Sequence, residues 1–176
     1  MADLQTDLFS RPSPAASSFG APRSDGFDFL TGNWSVRHRK LRERLMGCDD
    51  WFEFDGTLSV THILGGLGNF DRNLLDDPNG AYEAHSLRIF DSASGDWSIW
   101  WLDGRAPGVE TPVVGAFDGV KGTFYGDEML GDRSIRVRTT YEPFSDDLAE
   151  WTQAFSSDGG VIWETNWIMT FSKDDK

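Results

Sequence analysis

From Asp25 to Phe171 the chain runs in short stretches where apolar and polar residues alternate, each ending in a cluster of Gly, Asp, Asn, Ser or Pro. Alternation with period two puts every second side chain on one face of an extended strand, so it predicts half-buried β-strands. Ten are predicted, over 34–45, 51–64, 69–75, 82–90, 97–102, 113–117, 123–126, 134–141, 150–155 and 161–171. Turn clusters between them, such as Asp76-Asp77-Pro78-Asn79-Gly80, supply the positive φ and local side-chain hydrogen bonds that reverse a chain. No segment keeps a 3.6-residue apolar stripe for three turns, and only 27–30 reads as a single helical turn. The class is all-β, an antiparallel up-and-down meander. With no helix to cover a sheet, closure into a barrel of about ten strands removes both exposed edges and is the expected architecture; a two-sheet sandwich is the competitor.

Residues 1–24 lack this texture. They hold Pro12, Pro14 and Pro22 among Ser and Ala, with Leu4, Leu8, Phe9 and Phe19 as the bulky apolar groups. Such a stretch buries too little surface to offset its ordering entropy, so a flexible, disordered arm is expected ahead of one domain over 25–173.

Composition sharpens what fills that domain. Eight Trp, thirteen Phe and three Tyr in 176 residues mean that much of the buried area comes from large flat rings. Packed rings make either a stiff core or an aromatic-lined cavity. The balance of 16 Lys+Arg against 29 Asp+Glu gives a net charge of −13, which would repel phosphate backbones and anionic lipid. No nucleic-acid or membrane partner is expected. Cys48 is alone and cannot form an internal disulfide, and with no apolar run of leader or spanning length the chain reads as soluble and cytoplasmic.

The segment Phe27-Asp28-Phe29-Leu30-Thr31-Gly32-Asn33-Trp34 enters the first strand. A helical turn followed by Gly-x-Trp lets Gly32 bend the backbone while Trp34 plugs the closed end of a barrel. This resembles the N-terminal signature of lipocalin-like (calycin) barrels. With Gly65-Gly66-Leu67-Gly68-Asn69, Leu87-Arg88-Ile89-Phe90-Asp91, Trp97-Ser98-Ile99-Trp100-Trp101 and the stretch from Trp151 to Trp167, the chain is also similar to an uncharacterised, mainly bacterial domain family of the calycin group. The resemblance implies a fold and a cavity, and no reaction.

Ser156-x-Asp158-x-Gly160-x-Ile162-Trp163 matches the Asp-box of sialidase-like propellers. A propeller repeats that motif blade by blade; a single copy reads as a hairpin turn in which Asp158 and Ser156 bond turn amides and Trp163 packs beneath. Period-two counting puts His38 in phase with Trp34 and Val36, His62 with Leu58 and Val60, and His85 with Leu87 and Ile89. Three inward histidines could be satisfied core groups, a general base, or metal ligands. Gln153 lies between Trp151 and Phe155, and Trp101 and Trp167 fall on the in-phase faces of their strands. If Trp163, Thr165 and Trp167 face in, Glu164 and Asn166 face out; the inverse holds if the barrel turns its hydrophilic parity inward for a polar ligand. Arg136 and Arg138 alternate with Ile135, Val137 and Thr139, and either salt bridges or an inward carboxylate clamp would suit them. Arg37, Arg39, Arg42 and Arg44, with Lys40 and Glu43, read as a solvated edge. Nucleotide loops, nucleophile elbows and Cys-x-x-Cys are missing from the sequence, and no cofactor is expected.

The leading expectation is a barrel that binds a small, largely apolar molecule, aromatic or polyketide-like, with Trp101, Arg138, Gln153, Phe155 and Trp167 as candidate ligand contacts. The alternative is a cofactor-independent lyase, isomerase or hydratase in which His62, His38 or His85 moves a proton and Arg138 or Gln153 steadies negative charge. A homodimeric interaction module with a packed lumen is the third option.

Overall fold

The structure, a computed structural model, describes residues 25–173. The arm read over 1–24 lies outside the described residues. Ten strands follow in order: β1 (Gly32–Leu41), β2 (Trp51–Ile63), β3 (Gly68–Leu75), β4 (Tyr82–Asp91), β5 (Asp96–Asp103), β6 (Val113–Asp118), β7 (Lys121–Leu130), β8 (Arg133–Ser145), β9 (Leu148–Ser156) and β10 (Glu164–Ser172). Each pairs antiparallel with its neighbours in sequence, and β1 closes against β10 from Ser35↔Ser172 to Lys40↔Trp167. The sheet is a closed barrel, not a sandwich. Closure leaves no free edge, which is how a meander without covering helices avoids edge-to-edge association.

Alternation sets the lumen. On β1 the inward set is Trp34, Val36, His38 and Lys40, and on β8 it is Ile135, Val137, Thr139 and Tyr141. Gly56 on β2 is needed for this packing, because a Cβ there would lie 2.5 Å from the Leu74 carbonyl oxygen and 2.8 Å from the His38 ring.

One end of the barrel is closed by the 3-10 turn Asp28–Leu30 and the residues flanking it. Phe27 is 1% exposed and meets Trp97, Phe117 and Tyr141 edge-to-face, each with centroids 4.9 Å away. Each such pair adds about 0.5–1.5 kcal/mol beyond the area it buries. The Trp34 indole donates to the Leu30 carbonyl at 2.7 Å, tying the plug to the first strand. At the other end the wall is thinner. β5 and β6 pair only from Trp97↔Gly115 to Ile99↔Val113, so the later part of β5 has no β6 partner. Arg105, Glu110 and Thr111 from the connection beyond it border the lumen.

Candidate functional site

The lumen has two storeys. The ring-packed plug fills the closed end, and above it lies a cavity of about 220 Å³. A polar layer separates them. The Arg88 guanidinium on β4 donates to Asp71 Oδ2 at 2.6 Å, Asn69 Oδ1 at 2.9 Å and the Tyr141 hydroxyl at 3.2 Å. Asp71 Oδ1 accepts from Asn73 Nδ2 at 2.7 Å and from the Ser86 amide at 2.6 Å. The Arg88 and Asp71 side chains are 3% and 0% exposed, so neither charge could stand here without the other. Burial pushes the Tyr141 phenol up, which keeps it protonated. Arg88 also lies over the rings of Phe27 and Tyr141, at 5.2 and 5.3 Å, and so caps the plug from above.

The walls are aromatic. Trp167 on β10 meets Trp151 at 5.2 Å and Trp101 at 5.7 Å, both nearly perpendicular, and Phe155, Met169 and Phe171 complete that side. Its position depends on a bulge: the β9–β10 register shifts between Thr165 and Trp167, burying both Asn166 and Trp167. Neither of the two parities open from the sequence therefore holds along the whole strand. Trp163 lies outside, near Tyr125 and under the Arg138 guanidinium, Trp167 lies inside, and Asn166 faces the interior instead of solvent. Thr139 lines the cavity, and its buried hydroxyl has no hydrogen-bond partner among the described residues.

The open end carries the charge. Lys40, Arg44, Asp103, Arg105, Glu110 and Glu128 all border the cavity. Arg105 binds Asp103 through two contacts of 3.0 and 2.7 Å and lies 3.5 Å over the Tyr82 ring. Burial, reinforced by Arg44, holds the Lys40 ammonium down to about 8, while Asp77 acts in the opposite direction. Burial pushes the Glu128 carboxyl up, with Glu110 adding to it. Lys40 and Arg44 are thus not part of a solvated edge. The edge reading fails because Lys40 shares the inward phase of Trp34, Val36 and His38.

Four candidate ligand contacts, Trp101, Gln153, Phe155 and Trp167, line this cavity together. Arg138 does not. It sits on the outward parity of β8, with its guanidinium 4.5 Å over Trp163. The three histidines do not converge either, and none lines the cavity. His38 is inward but packed: it stacks on Phe54 at 4.5 Å, and its Nδ1 accepts from the Trp167 indole at 3.2 Å. Burial, then the Lys40 charge, holds it down to about 3, so it stays neutral. His62 lies at the end of β2, with its side chain 42% exposed, beside Thr31 at 3.0 Å and Asp28 at 3.8 Å. His85 faces outward, bonded to the Asp71 carbonyl at 2.8 Å and Glu83 at 2.9 Å and stacked on Phe70.

Sequence reasoning missed Lys40, Arg88, Asp71 and Thr139. The count that placed His38 inward also placed Lys40 inward, and that signal was there to be used. The Asp-box hairpin matches its reading: Gly160 has φ 99°, its amide donates to Ser156 Oγ at 2.9 Å, and Asp158 accepts from the Val161 and Ile162 amides at 3.0 Å.

No family model matches the chain, and no curated protein matches it. Among solved structures it is similar to the S-type phycobiliprotein lyase CPES from Guillardia theta, with a TM-score of 0.55 over 86% of this chain and 92% of that one. The fold is a lipocalin-like barrel. At 11% identity the likeness carries the fold and nothing about the reaction. No helix among the described residues is long and apolar enough to cross a membrane.

Proposed function

We propose that the barrel binds a small, largely apolar molecule, aromatic or polyketide-like, in the cavity above the Arg88 layer. The observation that carries the reading is the meeting of Trp101, Trp151, Trp167 and Phe155 around about 220 Å³ of open space, with Thr139 in its wall. Apolar walls with a few separately placed polar groups are the composition of a small-molecule pocket. The volume is below the roughly 300–1,000 Å³ usual for such sites and suits a molecule of one or two fused rings. Gln153 offers a donor and an acceptor to the same space.

The fold also serves the lyase named in the structural neighbour. Proton transfer by a histidine gains no support from this arrangement, since the one inward histidine is engaged by Trp167 and held neutral. The test is a screen of uncharged aromatic probes by intrinsic Trp fluorescence. Binding at one site per chain with quenched emission supports the reading, and unchanged emission across the screen removes it.

A further inference from the structure

We propose that Lys40 is a covalent attachment point, whose ε-amine forms an imine with the aldehyde or ketone carbonyl of an aromatic ligand seated in the cavity. The inference rests on the cavity being a binding site and adds the chemical class of what it holds.

Three observations carry it. Lys40 points into the lumen, with its side chain 6% exposed, and it borders both the cavity and the depression outside its open end. It has no hydrogen bond among the described residues. The nearest carboxylate oxygen, Asp77 Oδ2, is 3.9 Å away, and the other oxygen of Asp77 is occupied by the Asn79 amide at 2.9 Å and side chain at 3.0 Å. Its main contact is an aromatic face: Nζ sits 3.8 Å from the centre of the Trp167 ring. A lysine that only forms an ion pair would be expected to meet a carboxylate at hydrogen-bond distance. This amine is largely buried, weakly paired and next to the space where a ring would stack, and burial holds it down to about 8, so an appreciable neutral fraction exists near neutral pH.

The step balances without any further reactant. The Lys40 nitrogen lone pair attacks the carbonyl carbon, a C–N bond forms, and the C=O π pair moves to oxygen, which takes a proton from nitrogen. The nitrogen then expels the hydroxyl as water with one proton from solvent, leaving a C=N bond. A protonated imine would keep Asp77 as its counter-charge and the Trp167 face beneath it.

Lys40, Lys121, Lys173 and Lys176 are the lysines of the chain, which makes the site easy to read out. Lys121 is bonded to Glu142 at 2.8 Å and Lys173 to the Asp146 carbonyl at 2.8 Å, both outside the cavity. The experiment incubates the full chain with 2-naphthaldehyde, reduces it with sodium borohydride and maps the adduct by peptide mass spectrometry. A lowered ammonium gives Lys40 about a hundredfold more neutral amine than an ordinary lysine, so the expected result is that among the lysines the adduct falls on Lys40, at least about tenfold over Lys121 or Lys173. The triple variant K121R/K173R/K176R keeps the adduct, and Lys40→Arg, checked for folding by circular dichroism, loses it. Because the comparison among lysines is internal to the natural chain, it stands even if Lys40→Arg fails to fold. In parallel, 2-naphthalenemethanol, which cannot form an imine, is titrated by Trp fluorescence. If the alcohol binds and borohydride labels the lysines evenly, the imine proposal is overturned and the binding site stands. If neither compound binds, both fall.

Discussion

Replacing His38 by Gln tests whether the inward histidine is a neutral packing element, as its surroundings dictate, or a proton carrier. Gln keeps an acceptor for the Trp167 indole and cannot titrate in the accessible range. In the folded chain, burial and then Lys40 hold His38 down to about 3, against 6.5 for a free imidazole. Because the folded value is depressed, above the free value both states are neutral and the residue imposes no pH dependence. As pH falls below it, the unfolded chain takes up a proton that the folded chain refuses, and stability drops by about 1.4 kcal/mol per pH unit until the folded value is reached. Over the two pH units down to about 4.5 this amounts to about 3 kcal/mol. The variant starts less stable near neutral pH, because the stacking of His38 on Phe54 is lost. What matters is the slope. Urea unfolding followed by Trp fluorescence, near pH 7 and near pH 4.5, should show the wild type losing about 3 kcal/mol more than His38→Gln across that interval. Carboxylates common to both proteins cancel in the difference. Equal losses would mean that His38 protonates in the folded state, and the neutral, packed account of it would be wrong.

Arg88→Met should cost about 3–5 kcal/mol, because Asp71 would remain buried without its cation, and the double change Arg88→Met with Asp71→Leu should recover most of that in the same unfolding assay. No recovery would show that the pair does more than balance itself. Asp158→Ala should speed amide hydrogen exchange at Val161 and Ile162 by about tenfold while leaving β3 and β4 unchanged, since both amides donate to the Asp158 carboxylate.

The strands, their order and the closure of the sheet were legible because alternation reports a face directly, and ten short strands without helices have few ways to hide their edges. The Trp34 plug and the Asp158 hairpin were legible because a local motif fixes them. The site was only partly so, for three physical reasons. Period two gives the face of a residue and not its height in the barrel: His62 has the phase of Leu58 and Val60, yet stands at the strand end beside Asp28. Where both faces of a strand carry apolar groups, phase is ambiguous. On β4 the outward Leu87 and Ile89 drew His85 inward in the reading, while Ala84, Ser86, Arg88 and Phe90 hold the true inner face. The bulge at Thr165/Trp167 changes parity in mid-strand, and no turn residue announces it. Lys40 was obscured by charge, since its four neighbouring arginines look like a wet edge when only their composition is weighed.

The most direct test of the cavity as a binding site is to fill it. Thr139 lines the open space, is 5% exposed and leaves its hydroxyl unpaired, so Thr139→Phe puts a ring where a ligand ring would sit and buries no new polar group. Titration of the natural chain with an uncharged naphthalene fluorophore should show saturable binding with Trp quenching. In a folded Thr139→Phe chain, affinity should fall by at least about tenfold, the size of effect expected when a small pocket loses a ring's volume. Equal affinity in the two proteins would place the probe elsewhere and contradict the account of the lumen as the binding site.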